Sequence, residues 1–155
     1  MLAFCFRHGL RVSELVALRW VDIDWTGKNV VIQRRKRRTA AVHVHPLGQD
    51  EIKALKKLHV EYGGESDFVF ATERRGAGGR FKGFTTAGFA ILLRRLETKA
   101  GIFNFGPHAL RHGCAQRLAD LGNDAFLIRD ALGHANVSTS NVYVAASPER
   151  LRGIL

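Results

Sequence analysis

The sequence contains few cysteines and prolines and no long apolar run. Its 155 residues include two cysteines, Cys5 and Cys114, and three prolines. Two cysteines provide no disulfide framework, so the sequence favours a reducing compartment, the cytoplasm. No apolar run approaches the roughly 20 residues that a membrane-spanning helix needs. The apolar residues 1–6 end at Arg7 and lack a basic lead, which does not fit a secretory signal.

Acidic residues are also scarce relative to basic ones. Lysine and arginine together number 24 against 14 aspartates and glutamates, which gives a formal net charge of +10. This excess predicts a polyanionic partner such as nucleic acid, although an acidic substrate or an anionic membrane would satisfy the charge equally well. A chain of 155 residues is long enough for one domain with a real core, and we expect a single domain over 1–155.

Periodicity and turn residues predict an α+β fold that is mainly helical. Apolar residues recur at helical spacing in 50–59, 86–99 and 107–121, and a helix capped by Ser13 is expected to reach Trp20. Further helices are expected from Asn123 or Asp124 to Gly133 and from Ser147. Short strands are predicted at 30–32, 42–44 and 68–70, which together would form a small antiparallel three-stranded sheet. Glycines among basic residues predict a flexible basic loop around 74–83.

Six dispersed polar side chains could together break a phosphodiester without a metal or another cofactor. Arginines can hold the non-bridging oxygens of a phosphate and stabilise the charge that develops on them. A tyrosine phenol is a nucleophile that can form a covalent phosphoester. A histidine and an arginine three positions apart, near the start of a predicted helix, share a face and can approach one phosphate. The six candidates are Arg11, Lys36, His108, Arg111, His134 and Tyr143.

The motifs around these residues resemble those of the tyrosine recombinase, or phage integrase, family. Residues 9–15 with the following Leu-Arg-Trp resemble the family's first box, and residues 108–112 resemble its His-x-x-Arg box. Residues 132–134 resemble its Leu-Gly-His element, and Tyr143 follows at the usual distance. The resemblance covers nearly the whole chain, and it includes the short fimbrial-switch recombinases and the Xer-like integrases.

The resemblance implies the catalytic core of a DNA breaking and rejoining enzyme that acts as a site-specific recombinase. Tyr143 would attack a scissile phosphate in duplex DNA, which leaves a 3′-phosphotyrosyl link and a free 5′-hydroxyl. The other implied roles are a phosphate clamp for Arg11 and Arg111, a base for His108, a general acid for Lys36 and a hydrogen-bond donor for His134. The resemblance also implies dimers or tetramers on DNA, joined through the C-terminal segment 151–155, at the nucleoid. The family's N-terminal core-binding domain has no counterpart in 1–155.

Two groups of basic residues are expected to contact the DNA backbone. One group surrounds Lys36 between two predicted strands and consists of Arg34, Arg35, Arg37 and Arg38. The other lies in the predicted basic loop and consists of Arg74, Arg75, Arg80 and Lys82.

Ordinary interpretations of the same residues remain open. Arg11 could simply form an exposed ion pair with Glu14. His134 could cap the C-terminus of a helix, and Tyr143 could be a half-buried surface aromatic. Lys36 would also fit a solvated basic stripe. For the whole chain, the alternatives are a DNA-binding remnant or regulator without catalysis, a protein-interaction module, and a type IB topoisomerase with similar chemistry.

Overall fold

The computed structural model of the chain describes residues 1–35, 40–76, 78–103 and 105–133. The side chains of residues 35, 40 and 41 are not described. Several sequence predictions therefore lie outside the described part: those for the Arg35 side chain, Lys36, Arg37, Arg38, His134, Tyr143, the helix from Ser147 and the segment 151–155.

Two short helices form the N-terminal part of the fold. Helix α1 spans Leu2–His8 and ends at Gly9, which adopts the left-handed conformation with φ 58°. Helix α2 spans Val12–Ala17, with Arg11 as its N-cap residue. The carboxylate of Glu14 accepts the backbone N–H of Arg11 at 2.8 Å, which satisfies one of the groups that a helix start leaves unpaired.

The predicted helix from Ser13 to Trp20 is therefore wrong at both ends. It starts earlier because Glu14 bonds to the backbone of Arg11. It stops at Ala17 because Leu18 has an extended backbone with ψ 128°. A separate 3-10 turn, Trp20–Asp22, follows.

A three-stranded antiparallel sheet follows, as the sequence predicted. Its strands are β1 (Ile23–Asp24), β2 (Asn29–Arg35) and β3 (Ala40–Pro46), with β2 in the centre. The prediction of strands at 30–32 and 42–44 is confirmed, and Val30 pairs with His45. The third predicted strand, 68–70, is wrong, since there Phe68 forms only an isolated bridge to Arg19.

The predicted basic loop, residues 74–83, belongs to a β-hairpin. Strands β4 (Ala71–Arg75) and β5 (Phe81–Gly83) pair antiparallel, with an irregular register between Ala71 and Arg75. The glycines that predicted a loop lie mainly in the connection between the two strands. Gly78 has φ 83° and Gly79 has φ 77°, conformations that side chains with a Cβ rarely adopt.

The four longer helices agree with the predicted periodicity. They are α3 (Gln49–Tyr62), α4 (Thr86–Ala100), α5 (Pro107–Asp120) and α6 (Ala125–Leu132). Thr85 caps α4 by accepting the N–H of Gly88, and Asp124 caps α6 by accepting the N–H of Leu127. Pro107 occupies the start of α5, where its missing N–H and fixed φ are tolerated. Within the described residues, no helix is both long and apolar enough to cross a bilayer.

Two clusters of buried residues hold these elements together. The larger cluster joins α1, α2, the sheet, α3, α4 and the start of α5 around residues such as Leu15, Val30 and Phe89. The smaller one lies between α5 and α6 and includes Cys114 and Ile128. Helix α5 contributes to both clusters, so it fixes α6 relative to the rest of the core. The α+β fold class predicted from the sequence is confirmed.

Candidate active site

Arg11, His108 and Arg111 line one cleft of about 320 Å³. The cleft lies between the start of α2, the start of α4 and the first turns of α5. Its lining residues are Leu10, Arg11, Val12, Ser13, Thr86, Pro107, His108 and Arg111. Folding therefore brings together three predicted site residues that the sequence separates by up to one hundred positions.

Arg11 is held at the edge of this cleft by Glu14. The guanidinium Nη1 donates to Glu14 Oε1 at 2.7 Å, and the Arg11 backbone donates to the other carboxylate oxygen. The Arg11 side chain remains 41% exposed, whereas that of Glu14 is 6% exposed. The ordinary interpretation, an Arg11–Glu14 pair, is thus part of the structure. It leaves much of the guanidinium accessible from the cleft.

Arg111 is buried, with 8% of its surface exposed. Its Nη1 donates to Gly9 O and its Nη2 to Leu132 O, each at 2.5 Å. These bonds tie α5 to the ends of α1 and α6. Burial, followed by the cations of Arg11 and Arg34, lowers the pKa of Arg111 to about 10. The guanidinium therefore stays protonated at neutral pH and can act as a fixed cation.

Gly9 is required for this close approach of α1, α5 and α6. Its φ of 58° is left-handed, and a Cβ at this position would lie 3.1 Å from Cys114 Sγ and closer still to the Leu132 side chain. A larger residue would push the Gly9 carbonyl away from Arg111. In the Gly-Leu-Arg sequence of the first box, the glycine is thus needed for packing and the arginine for the proposed chemistry.

His108 lies in the first turn of α5, directly after Pro107, and its side chain is exposed. The first turn of a helix has backbone N–H groups without intrahelical partners, and the helix dipole is positive there. Both features favour an anion in the cleft beside His108. As predicted, His108 and Arg111 lie on one side of α5, although Arg111 is far more buried.

Arg34 occupies a different place from the one expected. It was grouped with the DNA contacts, but its side chain is 0% exposed. Its Nη2 donates to Ala131 O at 2.7 Å, and its Nη1 donates to Leu132 O. A guanidinium without exposed surface cannot contact DNA in this conformation, so that prediction is corrected. Arg34 instead joins the end of β2 to the last turn of α6.

Arg11 and Arg34 share a single carboxylate. Arg34 Nη1 lies 3.6 Å from Glu14 Oε2, and the same carboxylate binds Arg11. Burial and the cation of Arg11 lower the pKa of Arg34, although Glu14 opposes this shift. Together with Arg111, these two arginines give the region an excess of positive charge in partly dehydrated surroundings. Such a region attracts an anion more strongly than an exposed cluster of the same charge.

Comparison with known proteins identifies the family. The model of the phage integrase family matches residues 1–150. The chain belongs to the phage integrase family. It is 35% identical over 155 residues to the type 1 fimbriae regulatory protein FimB of Escherichia coli (strain K12), covering 97% of this chain and 74% of FimB.

Another curated protein is similar in sequence, and a solved structure is similar in fold. Tyrosine recombinase XerA of Thermococcus kodakarensis is 34% identical over 145 residues, covering 93% of this chain and 49% of XerA. The integrase of transposon Tn1549, solved in complex with transposon right end DNA, superposes with a TM-score of 0.78 at 21% identity, covering 98% of this chain and 55% of that chain. The chain thus spans about half the length of these two relatives.

The family membership confirms the family and the fold predicted from the sequence. It also confirms the predicted class of enzyme, the tyrosine-type site-specific recombinases. The individual roles of the six candidate residues stay predictions, as do the single-domain boundaries.

The basic side chains of the β4–β5 hairpin are exposed, and nearby carboxylates neutralise part of their charge. Arg75 Nη1 lies 2.5 Å from Glu65 Oε2, and its guanidinium lies 4.2 Å from the centre of the Phe81 ring. Arg80 Nη2 lies 2.8 Å from Asp67 Oδ1. Arg74 and Lys82 are also exposed. The four basic residues of the hairpin remain predicted DNA contacts.

Sequence reasoning missed the buried role of Arg34, although a signal for it was present. Side chains alternate between the two faces of a strand, and Val30, Ile32 and Arg34 follow this period of two. Val30 is 0% and Ile32 2% exposed, so the third residue in the series also points into the core. The second role of Glu14, as a partner of Arg34, had no signal in the sequence because the two residues meet only in the folded chain.

Proposed function

We propose that this chain cleaves and rejoins duplex DNA through a covalent 3′-phosphotyrosyl intermediate on Tyr143. The observation that carries the proposal is the single cleft lined by Arg11, His108 and Arg111. An exposed imidazole, a helix N-terminus and two guanidiniums of different exposure meet there. This arrangement suits one phosphate group of a DNA strand.

In the proposed cleavage step, the Tyr143 hydroxyl oxygen forms a bond to phosphorus, and the bond from phosphorus to the 5′-oxygen breaks. The phenol proton passes to His108, because a phenol with a pKa of about 10 is mostly protonated at neutral pH and a poor nucleophile. The departing 5′-oxygen takes a proton from Lys36. Rejoining reverses these steps, with the 5′-hydroxyl of a partner strand as the attacking group.

The arginines stabilise the transition state of this reaction. Negative charge grows on the non-bridging oxygens while phosphorus has five ligands, and fixed cations stabilise that charge without reorganising. Arg111 suits this role because two carbonyls hold its guanidinium in place. Arg11 supplies the second, more exposed cation, and His134 donates a further hydrogen bond.

The proposed partner is double-stranded DNA at the nucleoid. The net charge of +10 and the exposed basic residues of the β4–β5 hairpin support this partner. The Tn1549 integrase, which shares the fold, was solved with DNA bound. We further propose that two or four copies assemble on DNA through the segment 151–155, as recombination needs two sites to meet.

A suicide substrate tests the proposed nucleophile. A nick near the scissile phosphate lets the short cleaved fragment diffuse away, so the covalent adduct accumulates and migrates slowly on a denaturing gel. We expect Tyr143→Phe to bind this DNA in a gel shift but to form no adduct. The matched control is Tyr62→Phe, since Tyr62 is the other of the two tyrosines in the chain. Tyr62 lies against Phe81 and is not among the residues that line the cleft, so its variant should form the adduct normally.

The outcomes separate the possible functions. An adduct with Tyr143→Phe would remove Tyr143 from its role. Salt-sensitive DNA binding by the unaltered chain without any adduct, on substrates of several sequences, would favour a DNA-binding protein without catalysis. Relaxation of supercoiled plasmid without a defined site would favour a topoisomerase.

A further inference from the structure

Arg34 is a fully buried cation that none of the proposed catalytic steps uses. Its side chain is 0% exposed, and two backbone carbonyls and one carboxylate surround it. Removing a guanidinium from water is unfavourable unless partners replace its hydration, and packed apolar residues often replace such a group without loss of stability. Fold stability alone therefore does not account for an arginine at this position.

The partners of Arg34 belong to segments that lead to proposed catalytic residues. Arg34 is the second-last residue of β2 and precedes Lys36 by two positions. Its two carbonyl partners lie in the last turn of α6, just before His134. Its carboxylate partner, Glu14, also holds Arg11. One guanidinium thus ties the end of β2 to α6 and to the start of α2.

The position of Arg34 is tightly constrained on the α6 side. Gly133 ends α6 with φ 62°, and a Cβ there would lie 3.0 Å from Arg34 Nε and closer still to its Cδ. The Leu132 carbonyl accepts hydrogen bonds from both Arg34 and Arg111. The end of β2 and the buried cation of the cleft are therefore fixed to the same backbone atom.

We propose that Arg34 is a positioning residue that fixes the end of β2 against α6 and so directs Lys36 to the departing 5′-oxygen. This inference rests on the proposed function, because it requires Lys36 to be the general acid. The planar fork of arginine can donate to two carbonyls while its charge pairs with a nearby carboxylate. A lysine ammonium at position 34 keeps the charge but lacks this geometry.

Two substrates that differ only in their leaving group test the inference. In one, the bridging 5′-oxygen of the scissile phosphate is an ordinary oxygen, which needs a proton as it departs. In the other, sulfur replaces this oxygen and departs as a thiolate. Thiols have a pKa of about 8.5, so the thiolate departs without help from a general acid. A variant that has lost only proton delivery recovers on the sulfur substrate, whereas one that binds phosphate poorly does not.

We expect Arg34→Lys and Arg34→Met to cleave the oxygen substrate about 10- to 100-fold more slowly than the unaltered chain. On the sulfur substrate, both variants should be within roughly threefold of it. The matched control is Arg129→Met, because Arg129 is a more exposed arginine of α6, 2.7 Å from Asp130. This control should cleave both substrates normally. Binding in a gel shift shows that each variant is folded, and Arg34→Lys carries the test if Arg34→Met does not fold.

Lys36→Ala distinguishes failure of this inference from failure of the proposed function. In one outcome, Lys36→Ala recovers on the sulfur substrate, whereas Arg34→Lys binds DNA normally but is slowed equally on both substrates. The positioning role of Arg34 is then wrong, while the role of Lys36 as general acid stands. Normal cleavage of both substrates by Arg34→Lys and Arg34→Met would also overturn the positioning role. If Lys36→Ala is slowed equally on both substrates, Lys36 is not the general acid, and the inference about Arg34 falls with it.

Discussion

Two groups of arginines in this protein have opposite surroundings. In the cleft region, Arg34 and Arg111 are 0% and 8% exposed, and their partners are mainly backbone carbonyls. In the β4–β5 hairpin, Arg75 and Arg80 are each about half exposed, and each pairs with a carboxylate. The first group is a fixed, partly dehydrated set of cations. The second is a hydrated surface in which much of the charge is already neutralised.

The difference shows what burial adds to a charge. An exposed ion pair changes stability by less than about 1 kcal/mol and is screened by salt. A buried cation interacts more strongly with any nearby charge, since little water lies between them. The cleft is therefore suited to stabilise charge that develops during a reaction, whereas the hairpin is suited to weak contacts with a DNA backbone. Four predictions sharpen or break this contrast.

The largest effect is expected for Arg111→Lys. The ammonium keeps the charge but cannot hold the two carbonyls and face a phosphate in one geometry. Formation of the covalent adduct should fall about 10²- to 10³-fold, as when one donor to a transition-state oxyanion is removed. Arg129→Lys on α6 is the matched control and should react normally. Quenched-flow rates on the suicide substrate measure the difference, and equal rates for the two variants would break the contrast.

The next effect is expected for Glu14→Gln, measured as the free energy of unfolding in urea. Glu14 is 6% exposed and pairs with the buried Arg34 as well as with the half-exposed Arg11, so its replacement leaves the buried cation of Arg34 without a carboxylate partner. We expect a decrease of about 2 to 3 kcal/mol. The control is Glu65→Gln at the hairpin, whose side chain is 51% exposed, and its decrease should stay below about 1 kcal/mol. Similar decreases for both variants would show that burial makes no difference here.

A smaller effect concerns pH and His45 on β3. Burial, followed by the neighbouring His8, Arg34 and His43, lowers the pKa of His45 to about 3. Below the ordinary histidine pKa of about 6.5, the unfolded chain therefore binds a proton on His45 and the folded chain does not. As a result, stability falls as the pH decreases from about 6.5 towards 3. When the pH is lowered from 7.5 to 5, the free energy of unfolding in urea should decrease for both chains. The decrease should be smaller for His45→Asn than for the unaltered chain, by on the order of 1 kcal/mol. Parallel pH profiles of the two chains would contradict this.

The smallest effect is expected at the hairpin itself. Arg74→Gln or Lys82→Gln should weaken DNA binding only a few-fold at moderate salt, because each removes at most one phosphate contact. The slope of log affinity against log salt concentration should decrease in magnitude by about 0.9 for each phosphate that the variant no longer neutralises. Arg34→Met should leave the slope unchanged, as Arg34 has no exposed surface. A change of slope with Arg34→Met would mean that this side chain reaches DNA.

Much of the fold was predictable because its signals are local. Pro107 and Gly122 bound α5, Asp124 and Gly133 bound α6, and apolar spacing marks α3 and α4. The errors also have local causes. Residues 68–70 have strand-like composition but pair with no full strand, while the two-residue β1 is too short to produce a periodic signal. The hairpin was predicted as a loop because its glycines and charges mask the strand pattern.

The candidate site was predictable only in part. Motif spacing pointed to Arg11, His108 and Arg111, and the structure brings these three into one cleft. Motif spacing could not distinguish the environments of neighbouring arginines. In the sequence Arg34 looks like part of a basic run, yet the alternation of β2 turns it inward against α6.

The sequence by itself determined the family, the charge, the four longer helices and the two longer strands, because motifs, composition and periodicity are properties of short segments. Only the tertiary structure decided that Arg11 and Arg34 share the carboxylate of Glu14 and that Arg34 and Arg111 share the carbonyl of Leu132. Glu14 and Arg34 are twenty positions apart, and Arg34 meets Leu132 across nearly one hundred. Such contacts depend on how α5 and α6 pack against the sheet, and that packing is the combined result of the whole core.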